Sequence, residues 1–400
     1  MNIWFITKSN YSSDFQYGRT VELPKSLVGL NHHVGLVSAC YTNRVPPLRV
    51  EVYDHIRLIP IGHSTFFMGI IYVVKLFFVL FSSLFSGAKR PDVIITDISS
   101  VYPSLLFAIL SRLKVLPVKF VLDIRSVPVE TTGILAFFKK LEYSLAIWLA
   151  KYTFDGITVI TLPLRDDIAS RFRIPCDEIG VWCSGASLDT FDPSKAVMPE
   201  DAGFLKGKFV VMHHGGFNRF RGQQQSMEAI ELLYKEYPDI ILFFLGSGST
   251  VAEFKDSIAS KGLEKHIYIH DAVPYEKVRD YLALADVGLI ALPNWDWWRV
   301  SSPQKLMEYL AMGKPVIASD IPAHRNVLQD NACAIYLSSI EPAEIARAIR
   351  YAYSRKGELA RMGIIGRELI EQEYSWNAQA QRLTDYLVNV CHRQISLSRN

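Results

Sequence analysis

The chain has 400 residues, half of them apolar, which is enough for two buried cores of ordinary domain size. A net charge of +3, with no run of five or six like charges, argues against a nucleic-acid partner and leaves acidic small ligands open. The five cysteines, Cys40, Cys176, Cys183, Cys333 and Cys391, lack the C-x-x-C or Cys/His spacing of a zinc site or redox pair, so they read as thiols of a reducing compartment.

The N-terminus enters a strand-like run, Asn2 to Ile6, with no charged leader or small-residue cleavage site, and a cytoplasmic protein is expected. Short β-branched runs bounded by Gly, Pro or Asp then alternate with segments of helical period, which predicts parallel sheets covered by helices on both faces. In the first half the strands fall at 2–7, 33–38, 56–60, 92–96, 119–124 and 156–161. Between the third and fourth, residues 66–85 are almost continuously apolar and long enough to cross a bilayer. A span would bury Lys75 and put two strands of one sheet on opposite sides of the membrane. A crossover helix is therefore expected. One of its faces can lie peripherally on the anionic inner surface of the plasma membrane, next to Lys89 and Arg90.

Trp182 to Pro193 is rich in small, turn-forming and acidic residues without periodicity, which suits a hinge. Strands resume at 208–213, 240–245, 266–270, 287–291, 315–319 and 334–336, followed by helices over 341–355, 358–373 and 376–390. The expected organisation is a Rossmann-like domain over 1–185, a second over 186–373, and a C-terminal helix and tail over 374–400.

The densest chemical signal runs from Ser301 to Ile317. Ser302 before Pro303 reads as an N-cap and first-turn pair, so the free backbone N–H groups from Ser302 to Lys305, that of Gln304 among them, would face an anion at the positive end of the helix. Lys305 can meet a phosphate, and Glu308, one turn on, can accept from the two hydroxyls of a ribose. An ordinary amphipathic helix stopped by Gly313 would read the same way.

The segment SSPQKLMEYLAMGKPVIAS resembles the donor-binding segment of retaining GT-B glycosyltransferases, in particular family 4, also called group 1. That resemblance implies two Rossmann-like domains facing across a cleft, with the C-terminal helix returning to the N-terminal domain. It also implies a nucleoside-diphosphate sugar as co-substrate, UDP slightly preferred, with no cofactor and no metal. The family places two glutamates with seven residues between them. Glu308 matches the second, whereas Val300 occupies the place of the first, so Asp296, Ser301 or a backbone amide would have to substitute.

Further elements fit the same resemblance. His213-His214-Gly215-Gly216 leads through Arg219 to Arg221-Gly222, where the glycines allow close backbone approach and Arg221 would support the departing diphosphate. Gly246, after the strand at 240–245, resembles the nucleotide-side turn, and Val273 the loop that meets the base. The aromatic run Trp295 to Trp298 would stack on a sugar or pack against the other domain. In the first domain Gly18 and Arg19, after Tyr17, resemble the first loop and helix start. Asp123 stands at a strand end where the family carries a histidine, as an acceptor-side catalytic candidate or as the ion-pair partner of Arg125.

The function implied is sugar transfer to a glycan or lipid-linked glycan in capsule, O-antigen or exopolysaccharide assembly, with configuration retained. Nucleotide-sugar 2-epimerases share the architecture but need carboxylates and histidines placed for proton removal, and the sequence shows no such set. A catalytically inactive scaffold in a membrane-associated assembly is the non-enzymatic alternative.

Overall fold

The computed structural model describes residues 1–8, 18–40, 53–61, 68–85, 90–128, 133–329 and 331–393. Tyr17, Phe66, Lys89 and the end of the tail lie outside them. Two compact units divide the chain: Met1–Cys183 with Trp376–Asn400, and Ser184–Ser375.

In the first unit a seven-stranded parallel sheet has the order β3-β2-β1-β4-β5-β6-β7. Its strands are β1 (Asn2–Thr7), β2 (His33–Cys40), β3 (His55–Pro60), β4 (Val93–Thr96), β5 (Lys119–Ile124), β6 (Gly156–Val159) and β7 (Ile179–Val181). The connecting helices are α1 (Leu23–Gly29), α2 (Met68–Phe85), α3 (Val101–Arg112), α4 (Gly133–Thr153) and α5 (Leu162–Phe172). The second unit holds a six-stranded parallel sheet, order β10-β9-β8-β11-β12-β13. It comprises β8 (Phe209–His214), β9 (Ile240–Leu245), β10 (Ile267–His270), β11 (Val287–Ile290), β12 (Val316–Ser319) and β13 (Ala334–Leu337). Its helices are α6 (Gln223–Glu231), α7 (Val251–Ser260), α8 (Tyr275–Leu282), α9 (Asp296–Arg299), α10 (Gln304–Ala311), α11 (Pro322–Leu328), α12 (Pro342–Ser354) and α13 (Lys356–Leu369). The last helix, α14 (Trp376–His392), belongs to the first unit.

The expected α/β class of two Rossmann-like sheets is what the structure shows, and the differences are local. Strand β6 stops at Val159 because Thr161 turns to cap α5, accepting from the Leu164 N–H at 3.2 Å. Edge strand β7 is too short to carry a periodic signal. The helix expected after Tyr17 opens as a π-helical turn, Gly18–Glu22, before α1, and α13 ends in another, Ile370–Tyr374. Residues 68–85 form the crossover helix α2 between β3 and β4. These strands share one sheet, and among the described residues no helix is long and apolar enough to cross a membrane.

Two glycine positions seat helices directly on the sheets. Tyr386 of α14 lies over Gly180, where a Cβ would stand 2.6 Å from its ring. The Tyr386 hydroxyl accepts from the Ile157 N–H and donates to Glu178 O, both at 2.9 Å. In the second unit Tyr309 of α10 lies over Gly288 of β11 in the same way. Its hydroxyl donates to Met212 O at 2.8 Å and accepts from the His214 N–H at 3.1 Å. That contact fixes the start of α10 beside the end of β8. A core of buried residues including Val211, Leu242, Phe244, Leu289 and Ile317 underlies it, each worth roughly 1.5–3 kcal/mol on burial.

Candidate functional site

In an open parallel sheet, ligands collect at the carboxyl ends of the strands where the strand order reverses. For the second unit that point lies between β8 and β11, and the candidate residues of this unit gather around it. Strand β8 ends at His214, and Gly215 and Gly222, at φ +108° and +68°, turn the loop into α6. A Cβ on Gly222 would overlap the carbonyl oxygen of Ala291, just beyond β11, so only glycine lets the loop close over that strand. Gly246 meets the Gly215 carbonyl equally closely at the end of β9.

Helix α10 projects Lys305 and Glu308 into the same place, both buried. The Lys305 amine donates to His213 Nε2 at 3.2 Å, and a Cβ built on Gly215 would lie 3.6 Å from it. Gln223 Nε2 is 3.3 Å from the same ring nitrogen and donates to Gly216 O at 3.0 Å. Two donors aimed at one nitrogen fit a neutral His213 with Nε2 as the acceptor. Burial, and next the Lys305 charge, indeed hold its pKa well below the ordinary range. Burial, and next the Arg221 charge, push the Lys305 amine down to about 7, against an upward pull from Glu308.

On the other side of β8, His214 Nε2 donates to Glu308 Oε2 at 2.6 Å, and Gln304 Nε2 donates to Oε1 at 2.9 Å. The carboxylate is thereby oriented with acceptor capacity left on each oxygen. Burial lowers the His214 pKa, and the hydrogen bond to Glu308 opposes it.

The Arg221 guanidinium stacks 5.2 Å from the centre of the Trp298 ring, and Trp298 Nε1 donates to Phe220 O at 3.1 Å. One member of the tryptophan run therefore anchors the arginine loop within its own unit. Trp295 packs on Phe220 and Trp297.

The structure corrects one detail. Ser302 does not cap α10: the helix starts one residue later than expected, with Pro303 at the cap position and no side-chain cap. Ser302 Oγ instead accepts from the Ser184 N–H at 3.1 Å, and Ser301 Oγ donates to Trp298 O at 2.9 Å. Val273 is half-buried in the loop after β10. Arg219 points away from the buried group, in a solvent-exposed ion pair with Glu253 at 2.9 Å.

The first-unit candidates form a cluster of their own. The buried Asp123 carboxylate accepts from Thr158 Oγ1 at 2.8 Å and from Arg19 at 3.2 Å, with Arg125 at 3.9 Å. Gly18 is buried at the start of the π-helical turn that delivers Arg19. Arg125 also lies 3.5 Å over the Trp182 ring and donates to Trp182 O, and burial lowers its pKa to about 10.

Sequence reasoning missed the partners of His213 and His214, and the roles of Gln223 and Tyr309. It also saw no set of carboxylates and histidines, whereas the fold brings His213, His214 and Glu308 together. The available signal was the histidine pair at the end of a fully apolar strand. Among the described residues no group of three or more His, Cys, Asp or Glu is placed to hold a metal ion.

Residues 194–369 match the family described as glycosyl transferases group 1. EpsD of Bacillus subtilis is 23% identical over 234 residues, 57% of this chain and 59% of that protein. A GDP-mannose-dependent alpha-(1-6)-phosphatidylinositol monomannoside mannosyltransferase of Mycolicibacterium smegmatis is 23% identical over 240 residues, 58% of this chain and 62% of that protein. The chain thus spans about three fifths of the length of these curated relatives. Among solved structures, a glycosyltransferase of Rickettsia africae superposes with a TM-score of 0.73 at 17% identity, covering 98% of this chain and 99% of that one. HepE of Anabaena, in complex with UDP-glucose, gives 0.73 at 14% identity over 97% and 100%. The fold is that of the GT-B glycosyltransferases. Within it, residues 194–369 carry the match to the group 1 glycosyltransferases.

Proposed function

We propose that the chain transfers a sugar from a nucleoside-diphosphate donor to a hydroxyl of a glycan or lipid-linked glycan, with retention of configuration, in bacterial surface-polysaccharide assembly. The observation that carries this reading is the Lys305 amine, buried against His213 beneath the glycine turn and held near neutrality, one helical turn from a carboxylate oriented by His214 and Gln304. An arriving diphosphate supplies the negative charge that this position lacks, so Lys305 regains its full charge as the ligand binds. With Arg221 it then stabilises the leaving group, a contribution of about 2.7–4 kcal/mol for a well-placed donor. Glu308 takes the ribose hydroxyls. The relatives support the setting: HepE is solved with UDP-glucose, which places UDP first among the nucleotides to try, and the mannosyltransferase is named for a phosphatidylinositol-based acceptor.

The test is a thermal-shift panel of UDP, GDP, ADP, CMP and dTDP on the wild type and Glu308→Ala. A ligand at a hundred times its dissociation constant adds about 2.7 kcal/mol. One nucleoside diphosphate should stabilise only the wild type. Equal shifts in both proteins would remove the ribose assignment, and no shift at all would favour the inactive scaffold.

The convergence of His213, His214 and Glu308 supports one second reading, proton transfer as in a nucleotide-sugar 2-epimerase. Incorporation of solvent deuterium into the nucleotide sugar without any acceptor would replace the transferase reading with that one.

A further inference from the structure

In the first unit α2 packs against α3, and α3 against α4, so the three helices form one layer. A layer helix of a soluble domain carries its apolar stripe inward and polar residues outward. Here both sides are apolar. Along α2, Tyr72, Leu76, Leu80 and Leu84 are buried, while Val74, Phe78 and Phe81 are 48%, 64% and 52% exposed. Along α4, Tyr143, Ala146, Ile147 and Ala150 are buried, while Phe137, Phe138 and Trp148 are 61%, 57% and 51% exposed. Single exposed apolar residues are ordinary, but runs of them on α2 and α4, with Leu106 and Ile109 of α3 also 49% and 42% exposed, mark a surface that meets something.

The charges indicate what it meets. Across α2, α3 and α4 the ionisable chain-borne charges are Lys75, Arg112, Lys139, Lys140 and Lys151 against Glu142 alone. Two copies of such a face would set cations against cations across a two-fold contact, whereas an anionic surface is complementary to it. At the end of α4, Trp148 packs edge-on against Tyr152 and Lys151 lies over the Tyr152 ring, an aromatic and cationic grouping suited to the headgroup boundary.

We propose that the α2–α4 layer docks on a bilayer containing anionic phospholipid. The outward phenylalanines of α2 and α4 enter the headgroup boundary, and Lys139 and Lys140 lie on the headgroups. The inference rests, for its purpose, on the reading of a membrane-borne acceptor, and for its physics on these helices alone. It moves the centre of contact from residues 66–85 to a face that includes α4.

The experiment is co-sedimentation of the full chain with vesicles of phosphatidylglycerol and phosphatidylcholine, and with phosphatidylcholine alone, at low and high salt. Binding is expected to the anionic vesicles and to weaken with salt. The pairs Phe137→Ser with Phe138→Ser, and Phe78→Ser with Phe81→Ser, should each lower the partition by about tenfold or more. Lys139→Gln with Lys140→Gln should bring the anionic vesicles down towards the phosphatidylcholine level. All these side chains are exposed, and the nucleotide thermal shift of the second unit serves as the control for folding. No binding by the wild type at low salt would overturn the proposal, as would binding that survives both phenylalanine pairs. A wild-type dimer in sedimentation equilibrium that the phenylalanine pairs make monomeric, without vesicle binding, would assign the face to a second copy. Vesicle binding without any nucleotide shift would leave the docking face standing and remove the transferase reading.

Discussion

The two sheets share one pattern of strand order and differ in the charges gathered at the ends of their strands. In the first unit the Asp123 carboxylate has its partners in place: Thr158, Arg19 and, further off, Arg125. In the second, Lys305 and Arg221 stand near one carboxylate, Glu308, already engaged by His214 and Gln304, and the Lys305 amine is pushed down to about 7 by burial. The first bonds its carboxylate directly to a guanidinium and a hydroxyl, at 3.2 and 2.8 Å. In the second, the lysine amine is bonded to an imidazole rather than to a carboxylate, and the proposed diphosphate would supply the negative charge. A common scaffold can thus carry differently partnered clusters at its two sheet edges, because the chemistry resides in side chains and loops rather than in the fold.

The sharpest way to break this contrast is Lys305→Met, which keeps the length of the side chain and removes the amine. Transfer should fall about 10²–10³-fold in kcat, while the urea midpoint at pH 7 holds or rises, because an ill-solvated amine has been replaced by an apolar group. A fall in stability matching the fall in rate would make Lys305 a structural residue.

Asp123→Asn applies the same logic to the first unit. Leaving Arg19 and Arg125 without their carboxylate should cost about 3 kcal/mol in urea unfolding. A loss well below 1 kcal/mol would show that the carboxylate does not hold the two guanidiniums as described here.

The pH dependence sharpens the comparison further. With Lys305 at about 7 in the free protein and raised by a bound diphosphate, nucleotide affinity is full below pH 7 and falls as pH rises above it. The limit is about tenfold per unit, or ~1.4 kcal/mol, with proton uptake visible by calorimetry in buffers of different ionisation enthalpy. The same group affects stability in the opposite sense. Its folded pKa lies below its unfolded 10.5, so the unfolded chain binds more protons between about 7 and 10.5, and this contribution to stability grows with pH across that window. Affinity independent of pH from 6 to 9 would remove Lys305 from the phosphate site.

The smallest effect is expected at Arg219, whose pair with Glu253 is exposed on both sides. Arg219→Ala should change stability by less than about 0.5 kcal/mol and leave nucleotide shifts unaltered. A large loss of nucleotide binding would restore it to the donor site.

Much of the architecture was legible because parallel strands announce themselves locally. Runs such as Ile240–Leu245 are apolar throughout, and turn residues bound them. Edge strand β7 escaped notice because three residues hold no period. The positions of Lys305, Glu308 and Arg221 were legible from a motif, but their partners were not. Nothing in a run of two histidines says that one will accept from a lysine and the other donate to a glutamate. The outward face of α4 escaped for a different reason: its residues are apolar on both sides, so periodicity alone cannot separate core from surface.

By itself, then, the sequence determined the α/β alternation, the glycine turns and the identity of the charged residues, since these follow from backbone preference and hydrophobic spacing over a few residues. Only the tertiary structure decided which charges meet. His214 and Glu308 are 94 residues apart and bond at 2.6 Å because Tyr309, lying flat on Gly288, seats α10 against β8. The depressed lysine next to them is a consequence of that burial, and burial belongs to the folded chain rather than to any segment of it.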